Sequence, residues 1–405
     1  MIHMDKKYTF IDLFAGCGGL SEGFYMEDFE ALAHVEIDSV ACRTLKTRMD
    51  YYGYANSAAA VLEADITSDD MIQRIEEAVD SKDVDIIIGG PPCQSFSSLG
   101  RAKDDKGMKE DPRNYLFESY VKILNHFLPK FFVFENVTGL LTATLNGKHI
   151  VDRIKEELSA RYNVKLDVLN SANYGVPQIR KRVIIIGVRD DLDVDIDTVY
   201  ASIAKTHYDP EMPEVARGDL KKFVTVRDAI EELPKLLPGQ GSKTVPFQSK
   251  RNNEFLQTIV GKDWSVLLDH VARNHNETDM ERYRVMSRER WTFQELLQNR
   301  PDLNHEKQRV FGNSYVVQWW DLPSKTIIAH LYKDGNQFIH PDHTQARTFT
   351  VREAARIQSF PDDFVFEGAR TDQYKQIGNA VPPLLANAIA KALKQHLIML
   401  EGKTE

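Results

Sequence analysis

The sequence predicts an α/β protein. Its first part is a Rossmann-like sheet with helices on both faces, and a smaller irregular domain is inserted before a C-terminal return to that sheet. Three observations predict this. Short β-branched runs alternate with helical stretches through the first half of the chain. One run leads into a glycine turn, Ala15-Gly-Cys-Gly-Gly19, that opens a helix. The alternation stops after Arg189, and an amphipathic helix restores it only near the end. The expected division is residues 1–189, 190–368 and 369–405.

The totals suit such a protein. The chain has 405 residues, 42% of them hydrophobic, which is ample for a large core. No apolar run approaches the ~18 residues that span a bilayer, and Met1 to Lys7 carries no apolar signal core, so a cytoplasmic location is expected and no membrane contact. The three cysteines, Cys17, Cys42 and Cys93, show no CxxC spacing, which argues against a disulfide scaffold and against any metal site. A net charge of −9 counts mildly against nucleic acid, although local distribution decides the field that a phosphate backbone meets.

Taken in order, Tyr8 to Phe14 is the first strand and Leu20 to Met26 begins the helix after the glycine turn. Such a loop grips nucleotide-like cofactors, and equally serves as a plain connector. The third glycine position of the dinucleotide fingerprint holds Ser21, which disfavours NAD and leaves room for a cofactor without a pyrophosphate. Ala31 to Ile37 is a second strand ending in Glu36 and Asp38. An acid at that tip suits a ribose diol. Asp38 equally suits the N-cap of a helix from Ser39 to Tyr52, so Glu36 is the expected ribose ligand. A third strand end carries Asp65, placed to accept from an exocyclic amine or to cap a helix from about Ser68.

Val84 to Ile88 reads as a buried parallel strand, followed by Gly89-Gly-Pro-Pro-Cys-Gln94. Two prolines stiffen the exit, so Cys93 leaves the sheet on a rigid stalk at the end where open α/β sheets place ligands. The polar stretch from Gln94 to Gly107 reads as a mobile loop. A thiol held beside such a loop suits covalent catalysis; a lone cysteine otherwise reads as a buried one. A helix opens at Asp111-Pro-Arg-Asn-Tyr-Leu-Phe117 and runs to about Phe127. The strand Phe131 to Phe134 ends in Glu135-Asn-Val137. Glu135 can hold or donate a ring-nitrogen proton, or pair with an arginine. After a helix from Ile150 to Tyr162 and a strand from Val164 to Leu169, Gln178, Arg180 and Arg182 alternate into the strand Val183 to Val188. Alternation would set all three on one sheet face.

These pieces stand in a familiar order. Phe14-Ala-Gly-Cys-Gly-Gly-Leu20, Gly90-Pro-Pro-Cys93-Gln94, Glu135-Asn-Val137 and Gln178-x-Arg-x-Arg182 resemble the ordered motifs of the cytosine-C5 DNA methyltransferases of bacterial restriction-modification systems. So do Arg352-Glu-Ala-Ala-Arg356 with Phe360-Pro-Asp362, and Gln376-Ile-Gly-Asn-Ala-Val-Pro382. The resemblance runs from about Tyr8 to Ala390, apart from the variable middle. It implies that Phe14, Ala15, Gly16, Gly18, Gly19 and Leu20 line S-adenosylmethionine, that Glu36 holds its ribose, and that Asp65 with Ile66 meets its adenine. Pro91 and Leu116 would form the cofactor edge, and Asn379 and Val381 would close over the methionine part. Cys93 would be the nucleophile, Glu135 the contact to the ring nitrogen, and Arg180 and Arg182 the groups orienting cytosine and its phosphate. Gln94, Ser97, Gln178 and Arg180 would contact DNA. The implied partner is double-stranded DNA, together with a cognate restriction endonuclease acting on the same site unless the enzyme is an orphan methyltransferase; the enzyme itself is expected to be a monomer.

The chemistry needs these residue types. C5 of cytosine attacks a methyl sulfonium poorly, but a thiolate added to C6 turns C5 into an enamine carbon. Because a free thiol is only a few per cent ionised near neutrality, a nearby arginine or the cofactor's own charge should raise that fraction. The base must also leave the stack, and the segment Gln94 to Asn114 is the natural piece to close over the gap.

In the second half, Asp190 to Asp197 reads as an acidic surface linker. Residues 243 to 309 hold twelve Lys or Arg against ten Asp or Glu, which is no basic stripe. Arg282, Arg284, Arg288 and Arg290 either reach a DNA groove or salt-bridge along a helix. By resemblance this region is the target-recognition domain. Ser324 to His330 and Gln337 to Pro341 suggest two strands, and Thr350 to Ser359 a helix carrying Arg352, Glu353 and Arg356, where an arginine–glutamate pair braces a hinge. Thr371 to Gln376 begins the return, and Pro383 to Leu400 packs on the sheet. The competing readings are a tRNA cytosine methyltransferase on the same scaffold, a non-catalytic DNA-binding protein, and an NAD-dependent thiol dehydrogenase.

Overall fold

Seven strands form one sheet in the order β3-β2-β1-β4-β5-β7-β6. They are β1 (Thr9–Leu13), β2 (Glu30–Glu36), β3 (Val61–Glu63), β4 (Ile86–Gly89), β5 (Phe131–Val137), β6 (Tyr162–Asn170) and β7 (Lys181–Arg189). The first five are parallel. β7 lies antiparallel between β5 and β6. The computed structural model describes residues 7–92, 116–145, 148–304 and 314–402. The chain divides into two compact units. One comprises Met1–Asn170, Lys181–Lys205 and Pro383–Glu405, and the other Ser171–Arg180 and Thr206–Pro382. No helix among the described residues is long and apolar enough to cross a membrane.

In the first unit, alternate strand residues serve two cores. Ile11, Leu13, Ile87, Phe132, Phe134 and Ile185 share one core with Ile75 of α3 (Met71–Val79), Tyr120 of α4 (Leu116–Phe127) and Ile154 of α5 (Ile150–Leu158). On the opposite face Phe10 meets Phe24 of α1 (Gly19–Tyr25), their ring centroids 5.3 Å apart. Tyr200 of α6 (Ile196–Ser202) donates to Ile184 O at 2.6 Å. Helices therefore cover both faces, as the strand pattern requires: strands buried on both sides read as continuous apolar runs. Chain order reverses between β1 and β4, and the crevice at such a point is where α/β sheets bind ligands.

The C-terminal helix, Pro383–Gly402, completes this unit. It crosses α1 at Gly23, where an added Cβ would lie 2.3 Å from Asn387 N and 2.4 Å from Ala386 Cβ. Asn387 donates to Gly23 O at 3.3 Å and to Glu27 Oε1 at 3.0 Å, and Lys394 donates to Glu27 O at 2.6 Å.

The second unit has little sheet. Its hairpin pairs Gly241–Pro246 with Val266–Val271. Three arginines, Arg347, Arg352 and Arg356, are fully buried in it. Arg347 forks onto Glu353 with two bonds of 2.7 Å, and Arg356 bonds Asp362 at 2.6 and 2.9 Å and Glu232 at 3.0 Å. Arg352 donates to the carbonyls of Leu268, Pro361 and Phe364. Glu353 therefore pairs with Arg347, not with its sequence neighbour Arg352, because adjacent helix positions point apart.

Several boundaries differ from those expected. α6 stays with the sheet: Asp195 caps it, Tyr200 bonds the strands, and Ser202 meets His396 at 3.0 Å. The stretch from 190 to 197 is thus partly a helix start and not a linker throughout. The helix Arg370–Asn379 stays with the second unit, where Gln358 donates to Ile377 O and Ala380 O and Tyr374 donates to Phe349 O. The return to the sheet accordingly begins at Pro383, and the irregular unit takes in Ser171–Arg180. The two strands expected near 324–330 and 337–341 are not strands. Isolated bridges link Val317 to Ile339 and Ile339 to Thr348, and Ala329–Tyr332 is a 3₁₀ turn.

The α1 crossing gives a direct test. Gly23→Ala should destabilise the protein by about 1–3 kcal/mol despite the better helix propensity of alanine, because the clash is with backbone. Thermal denaturation should show a melting point lower by several degrees; an unchanged melting point would mean the two helices do not touch there.

Candidate active site

The carboxyl ends of β1, β2, β4 and β5 carry the candidate residues. After β1 the chain turns through left-handed conformations at Phe14 (φ 60°), Gly16 (φ 56°) and Gly18 (φ 88°). Ala15 N donates to Val35 O at 3.1 Å, tying the turn to β2. An added Cβ at Gly16 would meet nothing within 4 Å, so the loop is open on that side. Ala15 and Leu20 are buried, and Phe14 is half-buried against the core.

Glu36, at the tip of β2, closes this loop. Its Oε2 accepts from Gly16 N at 2.8 Å, and its Oε1 from Ile37 N at 2.9 Å and Asp38 N at 2.8 Å. Burial raises its pKa, against the lowering effect of these three bonds. A carboxylate has about four lone-pair sites, so Oε2 keeps capacity for one more donor, such as a ribose hydroxyl. Asp38 caps α2 (Ser39–Tyr51), accepting from Val40 N and Ala41 N. Ile37 between them is 66% exposed, an apolar side chain standing out beside the acid. It was not singled out from the sequence, where an isoleucine ending a strand gives no signal. Asp65 is exposed; its Oδ1 accepts from the backbone and hydroxyl of Thr67, bonds that lower its pKa. It caps no helix, since α3 begins only at Met71. Ile66 is a correction to the expected adenine contact: its side chain lies in the core, 7% exposed, leaving only its backbone for a ligand. Leu116 opens α4 and packs partly against the same core.

Beneath the loop, Ser21 of α1 donates to Asp12 of β1, lies 3.4 Å from His34 Nδ1, and His34 Nε2 meets Tyr25 Oη at 2.9 Å. All four are buried. Ser21 thus stands where a glycine would leave Asp12 without its hydroxyl partner. Burial pushes the Asp12 carboxyl up to about 8, the Ser21 bond opposing and Glu36 adding to it, and burial drives His34 down to about 3.

β4 ends in a stalk pressed against β5. An added Cβ at Gly90 would lie 2.8 Å from Glu135 Oε2. Pro91 is buried, and its carbonyl accepts from Asn136 Nδ2 at 3.1 Å. Glu135 Oε1 bonds Arg182 Nε at 2.9 Å across the β5–β7 ladder, with the two side chains 13% and 12% exposed. Desolvation lowers the Arg182 pKa, and Glu135 opposes that. Cys93, Gln94 and Ser97 lie outside the described residues. The other two thiols are buried, and burial pushes both up, Cys42 to about 12, so neither is poised as a nucleophile.

Gln178 and Arg180 are not on the strand with Arg182, because β7 begins only at Lys181. Ser171 N donates to Arg180 O and Ile179 N to Ser324 O, so the backbone has left the ladder. Both side chains are buried in the second unit. Gln178 bonds Ile357 O and Ile327 N, and Arg180 donates to Ile327 O at 2.7 Å and Gly378 O at 3.2 Å. In this arrangement they are braces, not exposed contacts to DNA or cytosine. Asn379, exposed, ends the helix Arg370–Asn379, and Val381 is buried two residues on. Among the described residues no three His, Cys, Asp or Glu side chains are grouped to hold a metal ion.

One model of a protein family matches residues 8–395, almost the whole chain, and its description is C-5 cytosine-specific DNA methylase. The chain belongs to that family. Among its curated relatives, the Type II methyltransferase M.Bpa9945I of Bacillus paralicheniformis is 37% identical over 95% of this chain and 98% of its own length. M.DdeI of Desulfomicrobium norvegicum, also a Type II methyltransferase, is 36% identical over 95% and 88%. The fold matches a solved E. coli protein described as a candidate DNA modification methyltransferase encoded within a prophage, with TM-score 0.69, 24% identity and coverage of 97% of this chain and 100% of that one. This methylase is thus an α/β enzyme whose acid–guanidinium pair and glycine loop sit at the carboxyl ends of one sheet.

In the methylase's second unit the arginines of the helix Glu277–Glu289 are mostly committed to partners. Arg282 donates to Leu303 O and Asp279, Arg284 pairs with Glu281, and Arg288 with Glu289. Arg290 pairs with Asp321 at 3.0 Å and lies over the Trp319 ring at 4.8 Å. A hollow of about 480 Å³ is lined there by Trp319, Trp320, Arg288, Arg290, Lys235 and Asp342, among others.

Asp12 predicts a pH dependence. The folded chain keeps the Asp12 proton up to about pH 8, whereas an unfolded chain releases it near ~3.9. The native state therefore holds the extra proton between those values, and stability falls as pH rises through that window. Asp12→Asn removes this titration, so the variant should gain stability relative to the parent between about pH 5 and pH 9 in denaturant melts. A constant difference across that range would mean Asp12 is already ionised in the native protein.

Proposed function

We propose that this methylase transfers a methyl group from S-adenosylmethionine to C5 of a flipped-out cytosine in one duplex DNA sequence, through a covalent bond between Cys93 and C6. The observation that carries this is the Glu135 carboxylate, gripped by Arg182 and lying against the glycine stalk that leads in sequence to Cys93. The β1 and β2 tips fit the cofactor: Glu36 has acceptor capacity for a ribose hydroxyl, Ile37 offers an apolar surface to an adenine, and the loop is open at Gly16. Asp65, exposed at the β3 tip, suits the exocyclic amine. S-adenosylmethionine supplies an electrophilic methyl group there and leaves as a neutral thioether.

The chain's own residues do the rest. The Cys93 thiolate forms a bond to C6, and the displaced π electrons move toward C5 and N3. A proton carried between Glu135 Oε2 and N3 passes to the ring nitrogen as the thiolate adds, so the charge developing on the ring is neutralised as it forms, and it returns to Glu135 when the thiolate is expelled. Arg182 fixes one carboxylate oxygen and leaves Oε2 for that contact. C5 then takes the methyl group, a base removes the C5 proton, and the electrons of that bond expel the thiolate from C6. Extrusion of the base costs a few kcal/mol, drawn from contacts made elsewhere on the DNA. The second unit is the part we assign to reading the DNA sequence.

The names of the Type II relatives support a place in a restriction-modification system. We extend the proposal to a restriction endonuclease acting on the same site and to a cytoplasmic, monomeric enzyme. Expressed in a host without cytosine-C5 methylation, the enzyme should leave 5-methylcytosine at one recurring sequence of the host DNA, and Cys93→Ser should lower turnover by about 10³-fold or more. Labelled methyl groups should enter duplex DNA and not tRNA. Label in tRNA alone, or undiminished turnover by Cys93→Ser, would overturn the proposal.

A further inference from the structure

We infer that Asn136 is a positioning residue for the methyl-transfer reaction, holding the stalk that leads to Cys93 in fixed spacing from Glu135. This rests on the proposed role of Cys93. The parallel ladder between β4 and β5 ends at the pair Gly89–Phe134. Beyond it Pro91 and Pro92 have no N–H, so the stalk cannot extend the ladder as a donor. The buried Pro91 carbonyl still needs a partner, and the Asn136 side chain supplies it with an N–H bond of 3.1 Å. The orientation of the amide is determined. Its oxygen accepts from Val137 N at 2.9 Å, so only its nitrogen can face the carbonyl.

Asn136 and Glu135 are neighbours on β5 and point to opposite faces of the sheet. On one face the Glu135 carboxylate lies so close to Gly90 that a single added carbon would come within 2.8 Å of it. On the other, Asn136, 3% exposed, ties the next residue of the stalk to the same strand. The stalk is thus located from both sides of β5, and the two contacts together set the distance between the start of the thiol's segment and the acid. The role assigned to Asn136 needs no contact with a substrate atom. Its effect on the reaction passes through Pro91.

The test is covalent capture. With S-adenosylmethionine present, C5 of a 5-fluorocytosine in the methylated sequence takes the methyl group but has no proton to lose, so the thiol–C6 bond cannot be eliminated and the complex survives denaturing electrophoresis. With Asn136→Ala, capture under single-turnover conditions and kcat should fall by about 10²-fold, the scale of a misplaced reacting group. The Kd values for S-adenosylmethionine and for DNA should stay within about twofold. Asn136→Asp keeps the side chain's volume and its acceptor for Val137 but turns an oxygen toward the Pro91 carbonyl, and should behave alike; it takes the place of Asn136→Ala if that variant melts early. If the parent enzyme captures and the folded variant captures equally fast, the inference is overturned. The same holds if capture falls only in proportion to the folded fraction or if kcat and the Kd values worsen together. If the parent enzyme itself never captures the duplex, it is the covalent mechanism that fails.

Discussion

The antiparallel seat of β7 against β5 is the constraint on which the active site depends. Its register pairs Arg182 with Val137, so the guanidinium emerges on the face of Glu135 and within 2.9 Å of it. A slip of one residue would carry Arg182 to the opposite face and leave a mostly desolvated carboxylate with no counter-charge. The sheet guards against that slip from both sides. Ile184, Ile185 and Ile186 are fully buried, so both faces of β7 are committed to cores. The chemistry of the pair is therefore secured by apolar side chains that take no part in it.

The second unit achieves its order by other means. With a short hairpin, a two-residue parallel pair and scattered bridges to align its described backbone, it buries arginines whose guanidinium groups collect carbonyls and carboxylates from distant segments. Such pairs are costly to desolvate, and replacing them with apolar residues is often neutral or better for stability. What they supply is directional: the fork of Arg347 fits Glu353 in one geometry, and Arg356 holds Asp362 and Glu232 together. Gln178 and Arg180 belong to the same scheme. An irregular backbone can be specified by fixed donors where it cannot be specified by a ladder.

Much of the sheet was legible in the sequence because strands buried on both faces leave unbroken β-branched runs, and because glycine marks places where no side chain fits, as at Gly90 against the Glu135 carboxylate. The position of the carboxylates of Glu36, Asp65 and Glu135 at or just beyond strand tips was legible for the same reason. Where sequence reasoning failed, the deciding partner lay far along the chain. The alternation of Gln178, Arg180 and Arg182 looked like one strand face, but Ile179 bonds to Ser324, which no local pattern discloses. The arginine–glutamate pair expected within the helix of Arg352, Glu353 and Arg356 forms instead between Glu353 and Arg347, which lies outside that helix. Ser21 was visible only as a departure from a glycine fingerprint; its meaning lay in Asp12, nine residues earlier on a neighbouring strand.

The crossing of α1 and the C-terminal helix bears on how the chain comes to be made. The helix that opens from the glycine loop is translated well before its packing partner, which follows the whole of the second unit. At ~5–20 residues per second the nascent loop waits tens of seconds on the ribosome with Phe24 and the groove at Gly23 uncovered. Through that interval the half-built sheet must be shielded, or must stay loosely collapsed, until the helix Pro383–Gly402 covers that groove.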